Sequence, residues 1–272
     1  MNAPSDRFER FRRLHEGPGM FVMPNPYDAG SARVLEGLGF RALATSSGAC
    51  AGVLGRRDGK VSRDEALAHA RLIVDAVEVP VSADLERGFG DSPEDAAETI
   101  RLAAGAGLAG GSIEDASGDP AKPIYDFDLA VARIVAAAQA ARVQPRPFVL
   151  TARAENFLHG RADLDDTIRR LQAFERAGAD VLFAPGLPDL AAVRAVCAAV
   201  GKPVSFMAGI RGKSWSIPEL EGAGVRRVSV ATSLFRAAMS CVLEAGKEIL
   251  EDGTFGYLDR CATSAEIGRF LR

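Results

Sequence analysis

Short apolar, β-prone runs punctuate this chain from one end to the other. They fall at residues 21–23, 42–45, 79–83, 109–113, 148–151, 181–183, 204–207 and 227–230, with starts 21 to 39 residues apart. Each interval holds a loop and a full helix. Runs that are apolar throughout, rather than alternating, are buried on both faces, as parallel strands joined by helices are. The segments between them carry helix signals. Ser62 and Glu65 form a capping box ahead of 62–77, and Ser92 with Pro93 opens 92–106. Further helices are expected at 31–38, 127–141, 164–177, 190–200, 217–222, 233–251 and 264–271.

Eight strands each followed by a helix give the count of a (β/α)8 TIM barrel. The length of 272 residues suits such a barrel as a single domain. No composition break divides residues 1–272, and about 233–272 are read as C-terminal helices. An open doubly wound sheet is the alternative, and eight units without a long interruption favour closure. A net charge of −3 argues against a nucleic-acid binder held by phosphate contacts. No apolar run approaches the ~20 residues of a membrane span, and the charged first 17 residues lack the apolar core of a signal peptide. Cys50, Cys197, Cys241 and Cys261 form no CxxC pair, so reduced thiols and a cytoplasmic location are expected. Only three histidines are present, too few and too scattered for a His-rich zinc site.

In a barrel of this kind the chemistry sits at the C-terminal ends of the strands. Asn25-Pro26-Tyr27-Asp28 follows the first run and Thr45-Ser46-Ser47-Gly48 ends the second. Asp84-Leu85-Glu86 follows the third and Glu114-Asp115 the fourth. Arg153, Glu155 and Asn156 follow the fifth, and the last three ends are bland. Asp84 and Glu86, two apart, are expected to point the same way along an extended strand. With Glu114 they form an all-oxygen cluster that suits Mg²⁺ or Mn²⁺. The plainer reading is that these acids cap helices or pair with Arg87 and Arg153. Arg153 is placed across the barrel from the acids. Its fork suits a carboxylate or phosphate, or a buried pair with Glu155 or Glu114. The small residues of 45–48 offer backbone N–H groups to an anion. Together these features describe a pocket for a small dianion that chelates a divalent cation.

At these residues the chain resembles the isocitrate lyase/phosphoenolpyruvate mutase superfamily, over roughly residues 25–260. Asn25 to Arg33 is similar to its opening N-x-Y-D-A-x-S-A-R, and Ser46-Ser47-Gly48 to its substrate-binding Ser-Gly loop. Asp84-Leu85-Glu86-Arg87-Gly88-Phe89-Gly90 resembles its metal motif, and Ile113-Glu114-Asp115 and Ala152-Arg153 resemble its I-E-D and A-R motifs. The resemblance implies that Asp84 binds Mg²⁺ directly, and that Asp58, Glu86 and Glu114 act mostly through waters. It implies that backbone amides near Ser46, Ser47 and Gly48 hold a substrate carboxylate with Arg153. Tyr27 then bonds a reacting oxygen, with Asn156 a further substrate contact. The substrate is a small 2-oxo or 2-hydroxy acid that passes through an enolate. A homotetramer or homodimer with C-terminal helices swapped between subunits is also implied.

The departures narrow the activity. Lyases of the family carry a catalytic Cys and a His on the loop after the fourth strand, and residues 115–126 contain neither. Cys50 lies on another loop and reads as a small buried residue. Lys122 can match a mutase Lys, but no Asn follows it, and Ala184-Pro185-Gly186 stands where many mutases carry a His. The leading expectation is a Mg²⁺-dependent carbon–carbon lyase or decarboxylase of a small 2-oxo or 2-hydroxy dicarboxylate. Other readings are a phosphoenolpyruvate mutase or phosphonopyruvate hydrolase, a non-catalytic oligomeric barrel, and an unrelated phosphate-binding barrel.

Overall fold

The computed structural model describes residues 6–271. Eight strands form one parallel sheet: β1 (Phe21–Val22), β2 (Leu43–Ala44), β3 (Val81–Asp84), β4 (Gly110–Glu114), β5 (Val149–Arg153), β6 (Val181–Phe183), β7 (Val204–Met207) and β8 (Arg227–Ser229). Their order runs β1-β8-β7-β6-β5-β4-β3-β2. The two outer strands meet where the Ala44 N–H donates to the Pro24 carbonyl at 3.0 Å, which curls the sheet toward a barrel. Asn25 reinforces that seam. Its Nδ2 donates to the Thr45 carbonyl at 2.9 Å, and its Oδ1 accepts from the Val230 N–H at 2.8 Å. One side chain thus ties the ends of β2 and β8 across β1.

The helices are α1 (Arg7–Glu16), α2 (Ala29–Gly37), α3 (Ser47–Val53), α4 (Arg63–Ala76), α5 (Pro93–Gly105), α6 (Phe127–Arg142), α7 (Leu164–Arg176), α8 (Leu190–Ala199), α9 (Ile217–Gly222), α10 (Ser233–Glu251) and α11 (Ser264–Gly268). The predicted capping box at Ser62 and Glu65 is present, and Ser92 caps α5 through the Asp95 N–H. The expected repetition of strand and helix therefore holds. Three short pieces were not expected: α1, α3 and a 3₁₀ turn at Gly256–Arg260.

The main apolar cluster fills the layer between sheet and helices. A second cluster, built on Phe8, Phe11, Phe21, Met23 and Val149, closes the N-terminal end of the barrel beneath α1. The lumen above that floor is polar. Bulky branched side chains usually fill a barrel of this kind, whereas Ser82, Ser112, Ser205 and Ser229 line a cavity of about 70 Å³ here. At the other end of the chain, α10 buries none of its residues and exposes Val242, Leu243 and Leu250. The chain then folds back until the Phe270 ring lies against Gly37 of α2.

Candidate active site

The strand ends bring the predicted acids and arginine into one cluster. Arg153 ends β5 and pairs in register with Glu114, the last residue of β4. Its NH1 lies 2.9 Å from Asp84, its NH2 3.1 Å from Glu114, and its Nε 2.8 Å from Glu155. Phe183, the register partner on β6, sets its ring 5.2 Å from the guanidinium carbon. Arg153 is therefore not across the barrel from the acids. Its fork reaches sideways along the rim and stands among them, the buried pairing that the plainer reading anticipated.

Asp84 also caps α3. Its Oδ2 accepts the Ser47 N–H at 3.2 Å, so residues 46–48 are the first turn of a helix rather than an open turn. Glu86 departs from the extended geometry expected of it. The strand stops at Asp84, and Glu86 sits in the left-handed region with φ 48°. The side chain still stays near the cluster, lining a small hollow with Asp84, Ser46 and Ser47. Gly48 is needed for close approach: a Cβ there would lie 2.6 Å from Thr232 Cγ2 and 3.1 Å from Asp58 Oδ2. That approach sets Asp58 over the start of α3.

Burial, with neighbouring acids adding to it, governs the charge state of the groups at this rim. Burial pushes the Glu86 carboxyl up to about 7, helped by Asp84 and Asp58. Burial holds Glu114 well above the carboxylate range, with Arg153 opposing and Glu155, Asp84 and Glu86 adding. Burial works against the charge on Arg153, but Glu155, Glu114 and Asp84 outweigh it and raise its value. Tyr27 is raised by burial and by Asp28.

Two predicted site residues stand apart from the lumen. Asn156 is fully buried and gives its Nδ2 to Asp166 at 2.9 Å. It belongs to a support layer in which Arg170 binds both Asp115 (3.0 Å) and Asp166 (2.8 Å). Asp115 in turn accepts the Glu155 N–H at 2.8 Å, which fixes the residue that holds Arg153. Tyr27 packs edge-on to Phe235 of α10 at 5.8 Å, and its carbonyl is 2.8 Å from His69 Nε2. His69 escaped the sequence reading. It projects from the buried stripe of α4 into the hollow that Asp84 and Glu86 line, with Nδ1 lacking a partner among the described residues. A histidine beside Ala70 and Ile73 in an otherwise apolar face was the available signal. Arg227, an arginine at the head of a buried strand, also escaped it.

A larger cleft, about 1150 Å³, opens at the opposite end of the barrel around Arg12, Arg146, Lys202 and Arg226. Strands point their C-terminal ends away from that face, and its acids Glu16 and Asp180 are solvent-accessible ion-pair partners of Arg12 and Arg142 rather than a buried carboxylate cluster. The smaller cavity at the mouth is the better candidate for catalysis.

The fold is an α/β barrel, and its candidate site is the carboxylate cluster at the ends of β3, β4 and β5. The chain belongs to the phosphoenolpyruvate phosphomutase family, whose model matches residues 11–250, within the isocitrate lyase/phosphoenolpyruvate mutase superfamily. It is 32% identical to 2-methylisocitrate lyase of Escherichia coli over 265 residues, 93% of this chain and 87% of that protein. It is 29% identical to oxaloacetate decarboxylase of Bradyrhizobium diazoefficiens over 274 residues, 98% of this chain and 93% of the other. A solved structure from Burkholderia cenocepacia J2315, described no further than lyase/mutase, superposes with a TM-score of 0.95 at 52% identity. It covers 97% of this chain and 95% of that one. The protein is accordingly an enzyme of the lyase kind.

Proposed function

We propose that this enzyme is a Mg²⁺- or Mn²⁺-dependent carbon–carbon lyase that cleaves a small 2-oxo or 2-hydroxy dicarboxylate, with decarboxylation as its chemistry. The observation that carries the reading is the excess of acids at the rim. Asp58, Asp84, Glu86, Glu114 and Glu155 gather around the single buried Arg153, and Glu86 forms no ion pair among the described residues. Such an excess calls for a cation.

The donors fit a hard one. They are all oxygen, as Mg²⁺ and Mn²⁺ prefer. Among the described residues no group of three His, Cys, Asp or Glu side chains is arranged to hold a metal ion, so the site calls for one or two direct carboxylates with water completing the shell. Mg²⁺ usually keeps several waters and takes only one or two carboxylates directly. Asp84 would hold it directly, and Asp58, Glu86 and Glu114 through water. When bound, the cation supplies positive charge toward the oxygen on which enolate charge develops.

The rest is done by this chain's own side chains. Arg153 can exchange one of its carboxylate partners for a substrate carboxylate while Glu155 keeps hold of its Nε. The amides of Ser46, Ser47 and Gly48 add fixed dipoles beside it. Tyr27, whose ring packs on Phe235 outside the lumen, would have to turn toward the rim to bond a reacting oxygen. Residues 115–126 supply neither Cys nor His, which favours decarboxylation, a reaction that needs no acid from that loop. The loop is hinged at its base, where Ala116 bridges Ile124 and the Tyr125 hydroxyl donates to Asp91 at 2.6 Å. It serves as a lid that excludes water from the enolate.

The relatives support the class of substrate: one is named for 2-methylisocitrate and another for oxaloacetate. The bare apolar face of α10 supports assembly into a homodimer or homotetramer that swaps its C-terminal helices. Among the described residues no helix is long and apolar enough to cross a membrane, and four free cysteines suit the cytoplasm.

The test is a screen of oxaloacetate, 2-methylisocitrate, a dimethylmalate and phosphonopyruvate with Mg²⁺, with Mn²⁺ and with excess chelator. Cation-dependent carbon–carbon cleavage is expected, with no phosphorus NMR change on phosphonopyruvate. Full activity in chelator would sink the metal role, and turnover of phosphonopyruvate alone would replace the lyase with a P–C enzyme.

A further inference from the structure

Arg227 is a cation that nothing in the proposed mechanism uses. It opens β8, points into the lumen and is only 4% exposed. Its three hydrogen bonds all go to neutral groups: Nε to Ser205 Oγ at 3.1 Å, NH2 to Thr151 Oγ1 at 3.1 Å, and NH1 to His15 Nε2 at 3.2 Å. It makes no ion pair among the described residues, and burial alone pulls its value down, to about 9. A guanidinium carries five N–H donors, so two remain beyond the three bonds just given. A neutral amide could have tied Ser205 to Thr151 without the penalty of an unpaired buried charge.

The surroundings suit an anion. The cavity that Arg227 lines is walled by the hydroxyls of Ser82, Ser112, Ser205 and Ser229, and no acid reaches its lower end. Its upper end is lined by Asp84 and Arg153, so the cavity opens into the candidate active site. Thr151, which Arg227 holds, and Arg153 are two residues apart on β5, about 7 Å along one face of the strand. Arg227 therefore lies one side-chain layer below the catalytic rim. At about 70 Å³ the space admits a carboxylate and little more.

We propose that Arg227, with Ser205 and Thr151, forms a carboxylate-binding subsite at the bottom of the barrel lumen, entered from the active-site mouth. Two sources present that chemistry. One is the distal carboxylate of a dicarboxylic substrate, a version that rests on the function proposed above. The other is a free small carboxylate such as formate, which does not.

Formate is the probe. It is titrated calorimetrically into the full-length protein at constant ionic strength, with methanesulfonate as the balancing anion because it is too bulky for the cavity. Saturable binding is expected in the wild type, with at least tenfold weakening in Arg227→Gln, whose fold is checked by near-ultraviolet circular dichroism. Oxaloacetate or malate that displaces formate competitively assigns the subsite to the substrate. Formate that binds alongside them assigns it to a free anion, and formate binding with no dicarboxylate turned over sinks the function but not the subsite. No saturable formate binding, or equal binding in Arg227→Gln, overturns the proposal. Should the variant fail to fold, a crystal of the wild type grown in formate decides. Density within hydrogen-bond distance of Arg227 supports the subsite, and an empty lumen overturns it.

Discussion

Acidification should destabilise this protein through one histidine at the barrel floor. His15 is buried between the rings of Phe11 and Phe21, at 4.7 and 5.0 Å. Its Nδ1 lies 2.8 Å from the Phe11 carbonyl, and its Nε2 faces the Arg227 guanidinium at 3.2 Å. Since Arg227 can only donate, Nε2 must accept and Nδ1 must carry the hydrogen. Protonation would bury a second cation against the first. Burial and then Arg227 lower the His15 value from 6.5 to about 3. The folded state thus binds fewer protons than the unfolded one below pH 6.5. Stability is intact above that value and falls as pH drops toward 3. Linkage gives a loss of about 2 kcal/mol at pH 5, rising to about 4 kcal/mol near pH 3. Urea unfolding at pH 7.5 and pH 5.0 measures it, with His15→Gln as the reference because Gln keeps an acceptor for Arg227 and does not titrate. The carboxylates contribute equally to both proteins and cancel in the difference. The wild type should lose about 2 kcal/mol more than the variant between those pH values. Equal losses would refute the assignment of a neutral, acceptor Nε2.

Three further outcomes follow from the rim. Gly48→Ala forces a Cβ to within 2.6 Å of Thr232 and 3.1 Å of Asp58, so it should displace both, cost about 1–3 kcal/mol in thermal unfolding and raise KM. Arg153→Lys can satisfy one of three acids that Arg153 now holds. It should therefore lower kcat/KM by more than tenfold and also destabilise the fold by several kcal/mol, and kinetics within threefold of wild type would mark the fork as dispensable. Thiol alkylation of the native protein should leave most activity, because Cys50 is buried with its thiol pushed up to about 11 and the exposed Cys241 and Cys261 lie in the C-terminal region. Loss of activity in step with one modified cysteine, followed by mass spectrometry, would contradict a mechanism without cysteine.

What the sequence revealed and what it hid divide along a physical line. Strand–helix rhythm is local: each run of apolar residues, each Ser-x-x-Glu box and each Gly turn announces itself within a few residues. The helices at 217–222 and 233–251 and the strands at 181–183 and 204–207 accordingly fall where the spacing placed them. The rim acids were legible for a related reason, since a strand end in a barrel is a functional address. Direction and register were not. The sequence left open whether Arg153 faces the acids across the barrel or pairs with Glu114, because that neighbour is set by a ladder between β4 and β5. Nor does the spacing of Asp84 and Glu86 reveal that the strand ends between them. The left-handed turn at Glu86 cancels the alternation that would otherwise have aligned the two.

The residues missed altogether share a different property: each is a polar side chain on the buried face of its element. His69 sits in the buried face of α4, Arg227 heads a core strand, and His15 lies on the inner face of α1, a helix whose charged outer face concealed it. Hydrophobic periodicity averages such residues away, yet burying them has a cost that apolar neighbours do not incur. The fold meets it differently in each case. His15 stays neutral, Arg227 takes three neutral partners and faces a cavity, and His69 keeps one ring nitrogen without a partner in a hollow beside Asp84 and Glu86. His15 and Arg227 also join the two ends of the barrel. His15 faces the large cleft at the N-terminal end, Arg227 faces the lumen below the mouth, and the bond between them is part of the partition. A change that weakens that bond therefore acts on the active-site cavity from beneath, without touching a residue at the rim.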